Sequence, residues 1–402
     1  MKVTAVRLLH LRGAMAFDGE FWEERLVRPL DLYPRHRGGP PGDLRRGEDG
    51  RYRMTGIFLR VETDEGVYGT GGPLPADQAY IAATQLRPLL LGEDPRATEL
   101  LWDLVYRAQV HGRKGPSMMA LSALDCALWD LKGKWLGQPV YRLLGGPTRE
   151  TIPAYASALG YSVEPERAAA RARELVASGF RATKWFFRHG PGSGREGIEH
   201  NVALVRALRE AVGPDVDLML DAWMSWDLPY AETMGRRIAG YAPRWLEEPT
   251  LPDKLDVYAA IRRALQPLGI PVSGGEHEYT RWGLKLYMDG GCVDVLQPDM
   301  YWCGGLSETL KICALASTYD LPVIPHGHSV PATCHLIAAM PPNLCPLLEY
   351  LVKWNTIHQW FLKTPVHPVN GEVAVAALDQ PGIGMELDES KILEQRELTF
   401  EF

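Results

Sequence analysis

Between residues 218 and 349, six short apolar runs each end in an ionisable residue. Leu218-Met219-Leu220 ends in Asp221, Trp245-Leu246 in Glu247-Glu248-Pro249, and Pro271-Val272-Ser273-Gly274-Gly275 in Glu276. Val293-Asp294-Val295-Leu296-Gln297-Pro298 runs into Asp299, Pro322-Val323-Ile324-Pro325 into His326, and Pro346-Leu347-Leu348 into Glu349. Successive ends lie 26, 29, 23, 27 and 23 residues apart. One strand, a loop and a helix take about that length, because parallel strands need a crossover of about a dozen residues or more. Buried parallel strands read as apolar runs, and the functional groups of a β/α barrel collect at the C-terminal strand ends. The spacing therefore predicts a parallel barrel whose mouth gathers these six groups.

Those groups imply a chemistry. Carboxylates about 4 Å apart repel by roughly 4 kcal/mol per pair at an effective dielectric near 20. A divalent cation among Asp221, Glu247 and Glu276 removes that repulsion, and oxygen-only ligation points to Mg²⁺ rather than zinc. Asp299 and His326 fall on neighbouring strand ends. A carboxylate on one ring nitrogen fixes the tautomer and raises the basicity of the other, as a base for a weak carbon acid requires. Glu349 lies beyond this dyad and would hydrogen-bond a substrate carboxylate if held protonated. A metal that holds a carboxylate beside a strong base describes removal of the proton alpha to that carboxylate.

The rest of the chain frames this core. Residues 1–16 and 56–70 read as antiparallel strands and a hairpin, and residues 75–145 as helical, with a buried helix over 120–135. Between the strands, residues 18–53 form a long loop rich in Arg, Pro and Gly. Loops of that length in compact domains are commonly functional, and Arg35, His36, Arg45, Arg46 and Arg53 suit a lid over an anionic substrate. Residues 140–146 read as a linker. Strands at 152–157 and 181–187, the latter holding Lys184, precede the repeat, and helices at 163–178, 201–212, 229–240, 254–265, 279–289 and 306–318 serve as crossovers. The expected domains are a capping domain over 1–135, a barrel over 136–375, and a tail over 376–402 that returns to the capping domain.

A chain of 402 residues suits a β/α barrel with an added domain. The net charge of −7 leaves no electrostatic footprint for nucleic acid, and no apolar run is long enough for a membrane span. The first ten residues lack the apolar region of a signal peptide, so the expected location is the cytoplasm. The six cysteines form no CxxC pair and read as reduced core residues. Trp185, Trp223 and Trp302 fall near strand ends, where they could wall a pocket.

The order of these motifs resembles the enolase superfamily, mandelate racemase subgroup, across essentially the whole chain; enzymes of that superfamily use a Lys or His base together with Mg²⁺. Leu218–Ser225, Ser273–His277, Gln297–Leu306 and Pro325-His326-Gly327 are similar to the L-rhamnonate dehydratase group. The resemblance implies a modified (β/α)7β TIM barrel with an α+β capping domain whose loops choose the substrate, and a homo-oligomer. It assigns Asp221, Glu247 and Glu276 to one Mg²⁺, Asp299 and His326 to the dyad, and Glu349 to the hydrogen-bonding acid, with Glu248 behind the ligands. Mandelate racemase carries Lys-x-Lys on the second barrel strand, the second lysine being its other base; here Lys184 is followed by Trp185 and Phe186, which favours elimination by one base over racemisation. In the rhamnonate group a capping-loop histidine contacts substrate, whereas the nearest position here is Phe21 beside Trp22.

The expected reaction is dehydration of an aldonic acid. His326 takes the C2 proton and returns it to the departing 3-hydroxyl, leaving a 2-keto-3-deoxy acid. Lys184 assists at the substrate carboxylate. Arg188, His189, Trp22, Arg35, His36, His277 and His328 are the expected substrate contacts.

Overall fold

The computed structural model describes residues 1–400. Strands β1 (Val3–Met15), β2 (Tyr52–Thr63) and β3 (Tyr68–Leu74) come first. The barrel strands are β4 (Thr151–Ser157), β5 (Ala182–Phe186), β6 (Asp217–Asp221), β7 (Trp245–Glu247), β8 (Val272–Gly274), β9 (Val295–Leu296) and β10 (Leu348–Leu351). Two short strands, β11 (Glu372–Ala374) and β12 (Glu394–Glu397), finish the described chain.

Strands β4 to β9 pair in chain order and in parallel, and β10 pairs in parallel with β4. Between β9 and β10 the eighth strand position is reduced to one parallel bridge, Leu296 to Val323. Pro322 and Pro325 flank it, and proline donates nothing to a ladder; the Val323 N–H turns to the Leu344 carbonyl instead, 2.7 Å away. Helices Pro165–Ala177, Gly194–Val212, Leu228–Ile238, Leu255–Leu265, Thr280–Asp289, Gly305–Ser317 and Val330–Ala339 cross between successive strand positions. Eight parallel positions with seven crossover helices make a (β/α)7β barrel.

Side chains alternate across a strand, so residues two apart share the barrel interior. Tyr155, Ala182, Met219, Trp245 and Ile324 form a separate cluster inside, with Val295 and Leu347 packed against it. Two positions further along their strands stand Lys184, Asp221, Glu247, His326, Gln297 and Glu349. One apolar layer thus supports one polar layer at the mouth. Glu276 breaks this parity, because Gly275, at φ +113°, turns the chain between β8 and the acid.

The second sheet is antiparallel, in the order β12-β1-β2-β3. Helix Pro116–Leu136 lies against β3 so closely that a Cβ on Gly69 would come 2.0 Å from the Ala127 carbonyl oxygen. The same helix meets the barrel helix Gly305–Ser317, where buried Asp125 accepts hydrogen bonds from the Ser307 N–H (2.8 Å) and hydroxyl (2.6 Å). β12 brings the far end of the chain back to β1, pairing Glu394–Glu397 with Leu9–Arg12.

Three expectations change. β2 starts at Tyr52, four residues earlier than the sequence pattern suggests, and takes the end of the polar loop into the sheet. Residues 140–146 do not make a plain linker: Val140–Leu143 is a helical turn, and its Tyr141 is buried against the ring of His335. Helix Gly194–Val212 starts seven residues before the expected position. All six cysteines are buried and free. Among the described residues no helix is long and apolar enough to cross a membrane.

Candidate active site

Asp221 and Glu247 are register partners on β6 and β7, and Glu247 pairs on its other side with Ser273 of β8. Asp221, Glu247, Glu248 and Glu276 are all buried at this rim. The Lys184 ammonium lies among them, bound to Glu247 Oε1, 2.7 Å from Glu349 Oε1 and 3.4 Å from Asp221 Oδ2. Burial would lower its pKa, but attraction from Glu247, Glu349 and Asp221 carries it well above the usual lysine value. Trp245 and Gln297 both donate to Glu247 Oε2, at 2.9 and 2.8 Å.

One lysine does not balance four carboxylates. Burial, then the charge of Glu247, pushes the Asp221 pKa well up, and burial lifts Glu276 to about 7 despite attraction from His326. Glu248 has a left-handed φ of +41°, an uncommon and strained state for a residue with a side chain. Its Oε1 is buried without a hydrogen-bond partner, while Oε2 meets His277 Nδ1 at 2.7 Å. Glu248, Glu276 and His277 offer three ligand atoms within 4.8 Å of one another. Excess buried negative charge and an unpartnered carboxylate oxygen fit a hard divalent cation at this rim. This cluster puts Glu248 beside Glu276 at the rim.

On the neighbouring ends, His326 Nδ1 lies 2.6 Å from Asp299 Oδ2, and its Nε2 lies 3.6 Å from Glu276 Oε2. Burial pulls the His326 pKa down, but Glu276, the hydrogen bond to Asp299 and the Glu349 charge together raise it to about 10. Attraction from His328 and the bond to His326 outweigh burial and hold Asp299 well below the usual carboxylate range. Asp299 Oδ1 is fixed by the Tyr301 N–H at 2.8 Å. The uncompensated carboxylates thus favour the protonated ring, and a cation that offset the Glu276 charge would lower that pKa and free Nε2 as a base facing the rim.

The condition for Glu349 to act as a neutral donor, that it be held protonated, is not favoured by its surroundings. Burial favours its acid form, yet Lys184, His326 and the Gly327 N–H (3.0 Å) outweigh that and hold it ionised. It serves as a counter-ion to Lys184 rather than as a neutral donor.

Two cavities lie over the mouth. One of about 720 Å³ is lined by Trp22, Trp223, Trp354, Arg25 and Arg53 among others; the second, about 390 Å³, is lined by Trp302, His328, Trp354 and His358. They share Thr55, Trp354 and Ile357. Trp22, His277 and His328 therefore sit at or beside the mouth, and Trp223 and Trp302 wall it, while Trp185 is wholly buried in the core. Phe21 is also buried, edge-to-face with Phe17 at 4.9 Å, so it anchors the loop instead of reaching substrate.

Four expected substrate contacts lie elsewhere. The Arg188 guanidinium reaches Glu24 (3.3 Å), Asp31 (3.5 Å) and the Arg37 carbonyl (2.8 Å), so its charge ties the loop to the barrel. His189 Nδ1 meets Ser193 Oγ at 3.3 Å in a separate crevice that Arg188, Ser193 and His200 also line. Arg35 and His36 bond each other on the turn Pro34–His36 and line neither mouth cavity. Gln297 was visible as an interior position two before Asp299. Trp354 and His358, on helix Val352–His358 after β10, carry no motif and emerge only from the packing.

Comparison with known proteins bears on the family and the fold. Residues 167–391 match the family model described as "Enolase C-terminal domain-like", and residues 49–145 the one described as "Mandelate racemase / muconate lactonizing enzyme, N-terminal domain". A D-galactarolactone cycloisomerase of Agrobacterium fabrum is 37% identical, covering 86% of this chain and 92% of its own. An L-rhamnonate dehydratase of Saccharopolyspora erythraea is 34% identical over 96% of this chain and 97% of its own. The crystal structure of rhamnonate dehydratase from Gibberella zeae complexed with Mg superposes with a TM-score of 0.79 at 30% identity, covering 97% of this chain and 96% of that one. The chain belongs to the enolase superfamily, with the N- and C-terminal domains of its mandelate racemase and muconate lactonizing enzyme branch.

Proposed function

We propose that this protein is a Mg²⁺-dependent dehydratase of an aldonic acid, a hydro-lyase that turns a 2,3-dihydroxy acid into its 2-keto-3-deoxy product. The observation that carries this is the one-sidedness of the mouth. One imidazole is poised by Asp299 as a base, whereas the lysine on the β5 side is locked as a cation among Glu247, Glu349 and Asp221, and position 186 is Phe. A racemase needs a second base; an elimination does not.

Asp221, Glu247 and Glu276 would hold the cation, as oxygen donors at adjoining strand ends and of the kind Mg²⁺ prefers. Bound there, it would supply positive charge beside the substrate carboxylate as the alpha carbon loses its proton. His326 takes the C2 proton through Nε2 while Asp299 holds Nδ1. Lys184 supplies fixed positive charge beneath the carboxylate, oriented by Glu349. The 3-hydroxyl then leaves with a proton from the same face, and the enol product tautomerises. Trp22, Trp223, Trp302 and Trp354 exclude water from the two cavities. The reading includes a cytoplasmic homo-oligomer.

The 37% identity to a D-galactarolactone cycloisomerase favours a second reading, in which the same base acts on a lactone of a sugar acid. A screen of the Mg²⁺-loaded protein against four- to six-carbon aldonates and their lactones separates the two. Appearance of a 2-keto-3-deoxy acid from an open-chain aldonate supports dehydration, and turnover of lactones alone supports cycloisomerisation. Inversion at C2 without a keto product would sink both in favour of a racemase.

A further inference from the structure

Asp299 serves two histidines. Its Oδ2 lies 2.6 Å from His326 Nδ1 and 3.7 Å from His328 Nδ1. The two imidazoles are nearly parallel, 15° apart, with centroids 6.3 Å from each other. His328 is almost fully buried, its Nδ1 has no close hydrogen-bond partner, and it lines the 390 Å³ cavity. Trp302, Trp354 and His358 hold its ring at 5.3, 5.8 and 4.2 Å. Such packing fixes a ring beside the base and on the base's own side of the mouth.

Elimination needs two proton movements on adjacent carbons, and one carboxylate with two imidazoles supplies both partners. We propose that His328 is the general acid that protonates the departing 3-hydroxyl, while His326 acts only as the base at C2. The C2–H pair forms the new carbon–carbon double bond, the C3–O bond breaks, and the oxygen leaves as water with the His328 proton. The proton held by His326 goes to solvent, and solvent reprotonates His328. This rests on the dehydratase reading and refines who carries each proton.

The test uses the full-length Mg²⁺-loaded protein and a panel of four- to six-carbon aldonates that includes L-rhamnonate, incubated in D₂O. Exchange at C2 is followed by NMR and keto product by a carbonyl reagent. For any aldonate the wild type turns over, His328→Gln should lower keto product at least about 100-fold, the range of general acid catalysis, and leave C2 exchange within about threefold. The 3-deoxy-3-fluoro analogue of that aldonate should still release fluoride from H328Q at near the wild-type rate, because fluoride needs no proton to leave. Unchanged keto formation by H328Q would overturn the assignment and return both protons to His326. Parallel loss of exchange, keto formation and fluoride release would also overturn it, by making His328 a support for Asp299. If the wild type neither exchanges nor eliminates on any member, the dehydratase reading fails and takes the assignment with it.

Discussion

The barrel mouth and the loop over it, residues 18–51, are both rich in charge, but they hold it differently. At the mouth, Lys184, Asp221, Glu247 and His326 project from strand positions around the barrel, each two residues above an interior apolar side chain. The loop has only short 3₁₀ turns, Pro29–Leu32 and Pro34–His36, and is pinned by long-range ion pairs. Asp31 binds Arg25 at 2.9 Å and Arg188 at 3.5 Å, and Glu23 binds Lys353 at 2.8 Å and Arg167 at 2.7 Å. Strand register places groups for chemistry; ion pairs to Arg167, Arg188 and Lys353 of the barrel hold the loop across it. Charge at the mouth is concentrated and unbalanced, whereas Glu23, Arg25 and Asp31 of the loop each have an opposite charge beside them.

The sharpest break of this contrast is His326→Asn. It should lower C2 exchange by about three orders of magnitude while leaving the circular dichroism spectrum and thermal midpoint near wild type. Retained exchange would move the base elsewhere. Next, Glu247→Gln should weaken Mg²⁺ binding by about 100-fold in titration calorimetry, and Glu248→Gln by about tenfold, the scale of supporting groups around a metal. The reverse order would make Glu248, Glu276 and His277 the principal ligands.

A third measurement concerns the joint between capping sheet and barrel. Burial lifts the Asp125 pKa to about 7, against opposing hydrogen bonds from Ser307. Its folded value exceeds its unfolded value, so the folded state binds the extra proton between about pH 4 and 7. Stability should therefore fall with rising pH across that window, by at most about 1.4 kcal/mol per unit, and Asp125→Asn should flatten that part of a urea-midpoint profile. The smallest effect belongs to the loop. Asp31→Asn should raise KM about tenfold, about 1.4 kcal/mol, with kcat changed less than about twofold, and should speed proteolysis within residues 29–51. A fall in kcat with KM unchanged would place Asp31 in the chemistry instead.

Legibility followed sequence distance. Glu247 and Asp221 were readable because each ends an apolar run at a regular interval. Arg188 was not, because its position after β5 says nothing of Asp31, 157 residues away, which takes up its charge. Glu349 was readable as a strand end, but its ion-pair partner was not, since Lys184 lies far from it in the chain and only the closed barrel brings them to 2.7 Å. Trp354 and His358 had no motif to mark them.

From its order of residues alone this chain determined a parallel barrel, the strand ends that face its mouth, and the types of group gathered there. Two-residue alternation and crossover length are local rules that need no knowledge of what lies opposite. Only the tertiary structure decided which charges neutralise which, that Glu248 turns to His277, and that His328 shares Asp299 with His326. Electrostatic pairing in a buried site depends on separations of a few ångströms, and barrel closure sets those among residues tens to hundreds of positions apart.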